Sequence, residues 1–277
     1  MDRPIGMFDS GFGGLTVARA VMDLLPAEDL VYIGDTGRYP YGPRLQTEVR
    51  VFARELAWSL VKEFDVKAVI VACNTAAAAG LGELAAELPV PVLGVIEPGA
   101  RALVQATTSG RVGVIGTVGT VSSGAYARAV AATGANVELT VAACPGFVEF
   151  VERGETEGDQ VTILAERLLA PMCAADVDTL LLGCTHYPYL ARVIADVMGP
   201  DVVLVSSADE TAFAARTTLD ELGLLRGAGI DQPVVHRFLS SGDVTWFAEL
   251  GRRLLGPELE HAGRWSSSPA DPPADPH

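Results

Sequence analysis

Two stretches of the sequence share one form and decide the fold. LLLGCTHYPYL (residues 180–190) begins with an apolar run that leads to Cys184, and AVIVACNTAAA (residues 68–78) begins with an apolar run that leads to Cys73. In both stretches two side chains that can form hydrogen bonds follow the cysteine. Short apolar runs of this kind are typical of strands buried in a parallel sheet. We therefore predict that each cysteine lies at the carboxyl end of a buried strand.

Similar apolar runs alternate with amphipathic stretches along most of the chain, a pattern that predicts an α/β protein with mainly parallel sheets. The predicted strands form two sets, near residues 5–8, 30–33, 68–72 and 91–95, and near residues 112–115, 137–142, 179–183 and 202–205. Residues 44–64 predict a helix with one apolar face, made of Leu45, Val49, Phe52, Leu56 and Leu60. The matching helix of the second set carries Val161, Leu164, Leu168 and Met172.

The two sets correspond to each other at a nearly constant offset. Cys184 follows Cys73 by 111 positions, and at that offset VPVLGV (residues 90–95) falls on DVVLVS (residues 201–206). A chance likeness between strand–loop–helix units is the alternative to a true repeat. The repeat predicts two pseudo-symmetric α/β domains with the active site at their interface.

The repeat also sets the predicted domain boundaries. We predict a discontinuous first domain from residues 1–96 and 208–262 and a second domain from residues 97–207. After residue 207 the sequence predicts a helix, a strand and a last helix that pack on the first domain. The final stretch, residues 263–277, is rich in proline and serine and is predicted to be a disordered tail.

Length, charge and cysteine content limit the function classes. The chain has 277 residues, about two domains' worth, and no apolar run approaches the roughly 18 residues of a membrane span. It begins without the pattern of a signal peptide, which predicts a cytoplasmic protein without membrane partners. A formal net charge of −15 argues against a nucleic-acid partner. Four cysteines are too few for a disulfide framework, so free thiols are expected.

The position of Cys73 and Cys184 suggests that both are reactive. A helix is predicted to begin directly after each, and a helix N-terminus lowers the pKa of a thiol. The alternative is that each cysteine is only a small buried apolar residue. Cys144 and Cys173 lack this setting, and for them we keep that alternative.

Two thiols from equivalent domains would approach one ligand from opposite sides. Inverting a stereocentre needs a proton removed at one face and another delivered at the opposite face, so a racemase is the expected enzyme. Disulfide exchange would normally bring a C-x-x-C pair, which the sequence lacks. Zinc binding would need more ligands than Cys184 and His186, and the remaining histidines are scattered. We therefore predict no metal.

Polar residues follow the first two strands as well. DSGFGGLTV (residues 9–17) combines Asp9 and Ser10 with a glycine-rich turn into a helix, but its glycine spacing is not that of a dinucleotide site. GDTGRYPYGPR (residues 34–44) offers Tyr41 and Gly42, although PYGP could be merely a tight turn.

Together, DSGFGGLTV, GDTGRYPYG, ACNTA and LGCTHYP resemble, in order and spacing, the glutamate racemases of the cofactor-independent aspartate/glutamate racemase superfamily. The resemblance covers about residues 5–255, and GTVGTV (residues 116–121) and CPGFVEFVERGE (residues 144–155) are also similar to family segments. Phe12 and Gly37 depart from the residues common in the family, and neither is expected to touch the chemistry.

The resemblance implies interconversion of L- and D-glutamate without pyridoxal phosphate or metal, and D-glutamate as a precursor of bacterial peptidoglycan. It implies a small-molecule substrate and does not decide the oligomeric state, for which a homodimer is one candidate. Glu is usual after the Cys-Thr pair of aspartate-specific relatives, so His186 favours glutamate. A racemase of aspartate or another acidic amino acid, and a two-domain amino-acid-binding protein without catalysis, remain alternatives.

The resemblance also assigns roles by position. Cys73 would be the base towards D-glutamate and Cys184 the base towards L-glutamate, with Asp9 assisting the first and His186 and Glu152 the second. The residues expected to hold the ligand are Asp9, Ser10, Tyr41, Gly42, Asn74, Thr75, Thr117, Thr120, Thr185 and His186.

Overall fold

Two parallel β-sheets organise the computed structural model, which describes residues 3–227 and 233–266. The first sheet contains β1 (Ile5–Asp9), β2 (Leu30–Gly34), β3 (Ala68–Val71), β4 (Val92–Gly94), β9 (His236–Ser240) and β10 (Gly263–Arg264). The second sheet contains β5 (Arg111–Gly116), β6 (Glu138–Ala143), β7 (Thr179–Gly183) and β8 (Val203–Ser206). The predicted fold class, α/β with parallel sheets, is confirmed.

Helices cover the sheets and connect successive strands. They are α1 (Leu15–Leu24), α2 (Gln46–Phe64), α3 (Asn74–Glu87), α4 (Ile96–Ala106), α5 (Val118–Ser122), α6 (Ala125–Ala132), α7 (Phe147–Glu152), α8 (Asp159–Ala174), α9 (Ala191–Met198), α10 (Ser207–Glu221) and α11 (Val244–Leu255). Two short 3-10 helices lie at Tyr187–Leu190 and Gly256–Leu259. Within the described residues, no helix is both long enough and apolar enough to cross a membrane.

Strand order confirms the repeat. The first sheet runs β10-β9-β2-β1-β3-β4 and the second runs β6-β5-β7-β8, so the order second–first–third–fourth occurs in both. β3 therefore corresponds to β7, and each pairs in parallel with the first strand of its own set. Because Cys73 and Cys184 follow these two strands, they occupy equivalent places in the two sheets.

The helix predicted over residues 44–64 forms, but one residue of its apolar face is wrong. Val49, Leu56 and Leu60 are buried, and Phe52 is partly buried against the core. Leu45 precedes the helix in an extended conformation and is 75% exposed. A residue outside the helix does not follow its 3.6-residue period, so Leu45 does not share the buried face.

The elements after residue 207 return to the first sheet. β9 pairs with β2, and α11 packs against α1 and β9, as expected. α10 contacts α1 but also α4, a helix that packs against β7 and β8 of the second sheet. α10 therefore joins the two sheet layers, and the exact domain boundaries stay a prediction.

The prediction of a disordered tail from residue 263 is wrong for residues 263–266. Gly263 and Arg264 form β10 beside β9, and Trp265 is only 4% exposed. The indole Nε1 of Trp265 donates a hydrogen bond to Ser59 Oγ at 2.7 Å. Burial of one large aromatic side chain orders a segment whose overall composition suggests disorder. Residues 267–277 lie outside the described residues.

Candidate active site

One cavity of about 580 Å³ lies where the carboxyl ends of strands from both sheets face each other. This is the place where parallel α/β sheets bind ligands, because the strands end there and loops lead into helix N-termini. Its walls are formed by Asp9, Ser10, Tyr39, Pro40, Tyr41, Gly42, Pro43, Cys73, Asn74, Thr75, Thr117, Val118, Cys144, Pro145, Gly146, Val148, Glu149, Cys184, Thr185 and His186.

Cys73 enters the cavity from the first sheet. It lies between the end of β3 and the first residue of α3, and it is 4% exposed. Its thiol donates to Ser10 Oγ at 3.8 Å, and the Ser10 hydroxyl lies 3.5 Å from Asp9 Oδ1. The other oxygen of Asp9 accepts a hydrogen bond from the Gly14 N–H at 2.8 Å. A chain of polar atoms therefore joins the Cys73 sulfur to a buried carboxylate.

The expected lowering of the Cys73 pKa is wrong. Burial, and after it the Asp9 carboxylate, raise the pKa of Cys73 well above its usual value. Backbone N–H groups of Ala76 and Ser10 act in the opposite direction, as the position before a helix suggests, but they do not outweigh the desolvation. Cys73 is therefore a protonated thiol at neutral pH.

Cys184 enters the cavity from the second sheet, directly after β7. Its sulfur lies 3.9 Å from His186 Nδ1, and His186 Nε2 lies 2.9 Å from Glu152 Oε1. The α-helix expected directly after Cys184 is absent: a 3-10 helix with Pro188 comes first, and α9 begins only at Ala191. The sulfur of Cys184 therefore contacts the His186 imidazole and does not lie at the N-terminus of an α-helix.

His186 and Glu152 form a hydrogen-bonded pair whose side chains are largely buried. Burial alone would lower the pKa of His186, but its hydrogen bonds to Cys184 and Glu152 prevail and raise that pKa well above its usual value. Burial also raises the pKa of Glu152, although the hydrogen bond with His186 acts to lower it. At neutral pH the imidazole is therefore held as an imidazolium beside the sulfur of Cys184.

Hydroxyl and amide groups from both sheets meet on another wall of the cavity. Thr75 Oγ1 lies 2.9 Å from Thr117 Oγ1 and 3.3 Å from Thr120 Oγ1. Asn74 Nδ2 donates to the hydroxyl of Tyr126 at 2.6 Å, while Asn74 Oδ1 is buried without a hydrogen-bond partner among the described residues. These groups can bind carboxylate and ammonium groups of a ligand.

Tyr41 and Gly42 reach the cavity, but the Tyr41 hydroxyl is already engaged. It donates to the buried carboxylate of Asp35, which leaves the ring to line the cavity. Gly42 approaches Thr117 so closely that a Cβ atom would lie 3.0 Å from the Thr117 Cβ. The Gly42 carbonyl accepts a hydrogen bond from the Gly119 N–H at 2.9 Å, so this loop contacts the second sheet layer directly.

Most of the predicted site residues come together, with two placed one layer behind. Thr120 lies behind Thr117, and Glu152 lies behind His186; neither lines the cavity itself. The residues expected at the cavity wall that do line it are Asp9, Ser10, Tyr41, Gly42, Cys73, Asn74, Thr75, Thr117, Cys184, Thr185 and His186. The roles of these residues stay predictions.

Several cavity residues escaped the sequence analysis. Cys144, treated there as a plain buried thiol, lines the cavity, and so do Tyr39 and Glu149. The repeat could have indicated Cys144, because it follows β6, the equivalent of β2 that leads to Tyr41. Phe12, expected to stay clear of the chemistry, packs against His186 with 5.2 Å between ring centroids.

The cavity wall carries no lysine or arginine among the described residues. The carboxylate groups of an anionic ligand would therefore meet hydroxyl and backbone N–H groups and the His186 imidazolium, which also lines the wall. In the described part of the chain, no group of three or more His, Cys, Asp or Glu side chains is placed to hold a metal ion.

Comparison with known proteins agrees with this geometry. The Asp/Glu/Hydantoin racemase family matches residues 15–215. A glutamate racemase from Parafrankia sp. (strain EAN1pec) is 55% identical over 256 residues, which cover 92% of this chain and 92% of the relative.

Two solved structures are similar over nearly the whole chain. A glutamate racemase from Bacillus anthracis has a TM-score of 0.88 and 42% identity, covering 96% of this chain and 98% of its own. A glutamate racemase from Francisella tularensis in complex with D-glutamate has a TM-score of 0.88 and 33% identity, with the same coverage of 96% and 98%. With two strand-end thiols facing one cavity and such similarity along its length, the chain belongs to the Asp/Glu/Hydantoin racemase family, among its glutamate racemases.

Proposed function

We propose that this protein interconverts L- and D-glutamate by passing the α-proton between two thiols, Cys73 and Cys184. One observation carries the proposal: the two thiols follow equivalent strands of two different sheets, and both line the same cavity. Groups on opposite sides of a ligand can remove a proton at one face of its α-carbon and deliver another at the opposite face. Each thiol also contacts a side chain that leads to a buried carboxylate.

For L-glutamate, Cys184 acts as the base and Cys73 as the acid. The His186 imidazolium stabilises negative charge on the nearby sulfur of Cys184, whereas burial and Asp9 keep Cys73 protonated. The thiolate of Cys184 takes the α-proton, and the thiol of Cys73 then donates its proton to the opposite face. For D-glutamate the roles reverse, with the Ser10–Asp9 pair beside the base Cys73.

The ligand's own charges complete the site. The α-ammonium group is placed against the free oxygen of Asn74 and the carboxylate of Asp9, because these acceptors flank Cys73. A bound cation there favours the thiolate form of Cys73 and offsets part of the desolvation. The carboxylate groups bind to hydroxyls at Ser10, Thr75, Thr117 and Thr185 and to the loop at Gly42.

Racemisation followed by circular dichroism tests this function. L-glutamate incubated with the purified protein should lose its optical signal, and D-glutamate should lose its signal at the same kcat/KM. Aspartate should react far more slowly, because a cavity sized for one more methylene discriminates by roughly 1–3 kcal/mol. Equal kcat/KM for the two amino acids would favour a general acidic amino-acid racemase. Binding without loss of signal would favour the non-catalytic alternative.

The resemblance assigns the D-glutamate product to peptidoglycan synthesis. A homodimer and a cytoplasmic location stay predictions, which sedimentation analysis and cell fractionation test. The proposal of an amino-acid ligand is supported by the cavity and by the D-glutamate complex of the Francisella tularensis relative.

A further inference from the structure

The amide group of Asn74 has two chemically different ends, and the structure distinguishes them. Asn74 is the first residue of α3, directly after Cys73, and it is 2% exposed. Its Nδ2 donates to the hydroxyl of Tyr126 at 2.6 Å, and its Oδ1 is buried with no hydrogen-bond partner among the described residues. A buried acceptor without a partner costs free energy, so this oxygen is suited to a ligand that brings a donor.

Tyr126 comes from the helices over the second sheet, whereas Asn74 follows a strand of the first. It lies on α6, which packs against α4 and α5 over the second sheet, and its side chain is 2% exposed. Its ring lies so close to Gly183 that a Cβ atom there would be 2.9 Å from the ring carbon Cε2. Gly183 is the last residue of β7 and precedes Cys184. The position of the Tyr126 hydroxyl is therefore set by the strand that carries the second thiol.

We infer that Tyr126 is a positioning residue, which holds the Asn74 amide so that its oxygen faces the ligand's α-ammonium group. The inference rests on the function proposed above. The two ends of an amide have nearly the same shape, so the groups around them decide which end points where. A tyrosine hydroxyl can accept or donate; here it accepts from Nδ2, which leaves Oδ1 as the end that can accept from the ammonium group. With the amide turned round, an NH2 group would face the ammonium group and repel it.

The Tyr126→Phe variant tests the inference, because it keeps the ring against Gly183 and removes only the hydroxyl. Asn74 contacts the ammonium group both before and during proton transfer, so the loss should appear in binding rather than in the chemical step. We expect the KM for glutamate and the Kd for D-glutamate to rise about tenfold, with kcat changed less than threefold.

A ligand without the ammonium group separates positioning from a general change of shape. Glutarate keeps both carboxylates of glutamate but has no amino group. Its inhibition constant should change less than twofold in Tyr126→Phe. An equal weakening of D-glutamate and glutarate would overturn the inference, because it would show that the whole cavity had changed.

A double-mutant cycle with Asn74→Ala gives a second test. If Tyr126 acts through Asn74, adding Tyr126→Phe to Asn74→Ala should leave the Kd for D-glutamate within twofold of the single Asn74→Ala value. A further tenfold rise in the double variant would overturn the inference. Tyr187→Phe is the matched control, since the buried Tyr187 hydroxyl donates to the Cys144 carbonyl at 3.0 Å instead. Tyr187→Phe should change the Kd for D-glutamate by the same factor whether or not Asn74→Ala is present.

These outcomes are distinguishable from failure of the proposed function. Kd values come from calorimetry and need no turnover, so they test Tyr126 even in a protein that binds glutamate without racemising it. Such a protein would contradict the two-thiol mechanism. The double-mutant cycle on the Kd for D-glutamate would still decide whether Tyr126 acts through Asn74. A wild-type protein that binds no D-glutamate would overturn both.

Discussion

His186 Nε2 lies 2.9 Å from Glu152 Oε1, and the two side chains are only 3% and 8% exposed. The opposite nitrogen of the same imidazole faces the sulfur of Cys184 at 3.9 Å. Charges interact more strongly away from water, so Glu152 influences Cys184 through the imidazole although it does not line the cavity. The pair gives the Cys184 side of the cavity a cation that the Cys73 side lacks.

Glu152→Gln should lower kcat/KM for glutamate about 10- to 100-fold, in the range of positioned acid/base assistance. Without the carboxylate, the pKa of His186 falls and less imidazolium stands beside Cys184. The kcat/KM for L-glutamate and for D-glutamate should fall by the same factor, since the equilibrium constant of a racemisation is one. The measurement is the initial rate from each enantiomer by circular dichroism.

Isotope effects should reveal which side Glu152 serves. The primary deuterium effect with α-deuterated L-glutamate should grow more than that with the D-enantiomer, because Cys184 removes the proton from L-glutamate. Glu155→Gln is the control, because Glu155 pairs with Arg153 at the surface. This variant should change kcat/KM by less than twofold. Similar losses in the two variants would contradict the role of Glu152.

Cys73→Ser and Cys184→Ser should each lower racemisation more than 100-fold in both directions, a barrier increase of about 3 kcal/mol or more. The base must be the deprotonated side chain, and a serine hydroxyl keeps its proton near neutral pH. The control is Cys173→Ser, because Cys173 is exposed and lies outside the cavity wall. Cys144→Ser should cost less than tenfold, since Cys144 lines the wall without a relay to a carboxylate. Near wild-type rates in a folded Cys73→Ser or Cys184→Ser protein would refute the assignment.

The raised pKa of Cys73 makes the stability of the unliganded protein depend on pH. In the unfolded chain the thiol ionises at about pH 8.5, whereas in the folded protein it keeps its proton to higher pH. The contribution of Cys73 to folding is therefore complete below that pH and is lost as the pH rises towards the folded-state pKa.

Urea unfolding at several pH values measures this effect. Above about pH 8.5, the free energy of unfolding of wild type should fall relative to Cys73→Ser by about 1.4 kcal/mol per pH unit. Other buried groups titrate in both proteins and cancel in the difference. A constant difference between pH 8 and pH 10 would show that the folded-state pKa of Cys73 is not raised.

Removal of residues 263–277 should destabilise the protein, whereas removal of residues 267–277 should not. The shorter chain loses Trp265, and truncation of a buried Trp side chain costs roughly 3–5 kcal/mol. The Trp265 ring also lies 5.9 Å from the Arg38 guanidinium, whose Nε donates to Asp35 at 2.7 Å. Asp35 in turn accepts from Tyr41, so the KM for glutamate should rise as well.

Two truncated proteins test these effects, one ending at residue 262 and the other at residue 266. Their melting temperatures and their KM values for glutamate are measured. The longer one is the matched control because it keeps β10 and Trp265. Equal melting temperatures would mean that the Trp265–Ser59 contact contributes nothing measurable.

The two sets of strands, their repeat and the place of the two thiols could be predicted from the sequence, whereas the order of the strands in each sheet came only from the structure. Strands buried on both faces must be continuously apolar, so their ends are visible where polar residues such as Asn74 and Thr185 begin. The repeat then places Cys73 and Cys184 at equivalent ends. This information is local, or repeats at a fixed offset, and needs no knowledge of packing.

Properties that depend on packing could not be predicted. The pKa of Cys73 depends on how fully the folded chain buries the thiol and on the nearby Asp9, which no local pattern records. The sequence separates Trp265 from Ser59 by 206 positions, and only the folded chain reveals their hydrogen bond. Tyr126 is likewise remote from Asn74 in sequence, and it belongs to none of the motifs described above.

Proton transfer between two opposed thiols is the central claim, and racemisation in heavy water tests it most directly. L-glutamate is converted in D2O, and α-deuterium is measured in substrate and product by mass spectrometry after separation of the enantiomers, at low conversion. The account predicts that the product carries deuterium while the remaining L-glutamate stays almost entirely protiated, because Cys184 keeps the removed proton and Cys73 supplies a solvent-derived one. The same should hold from D-glutamate. Product that retains the original α-proton would contradict the account, since it would mean that one base serves both faces.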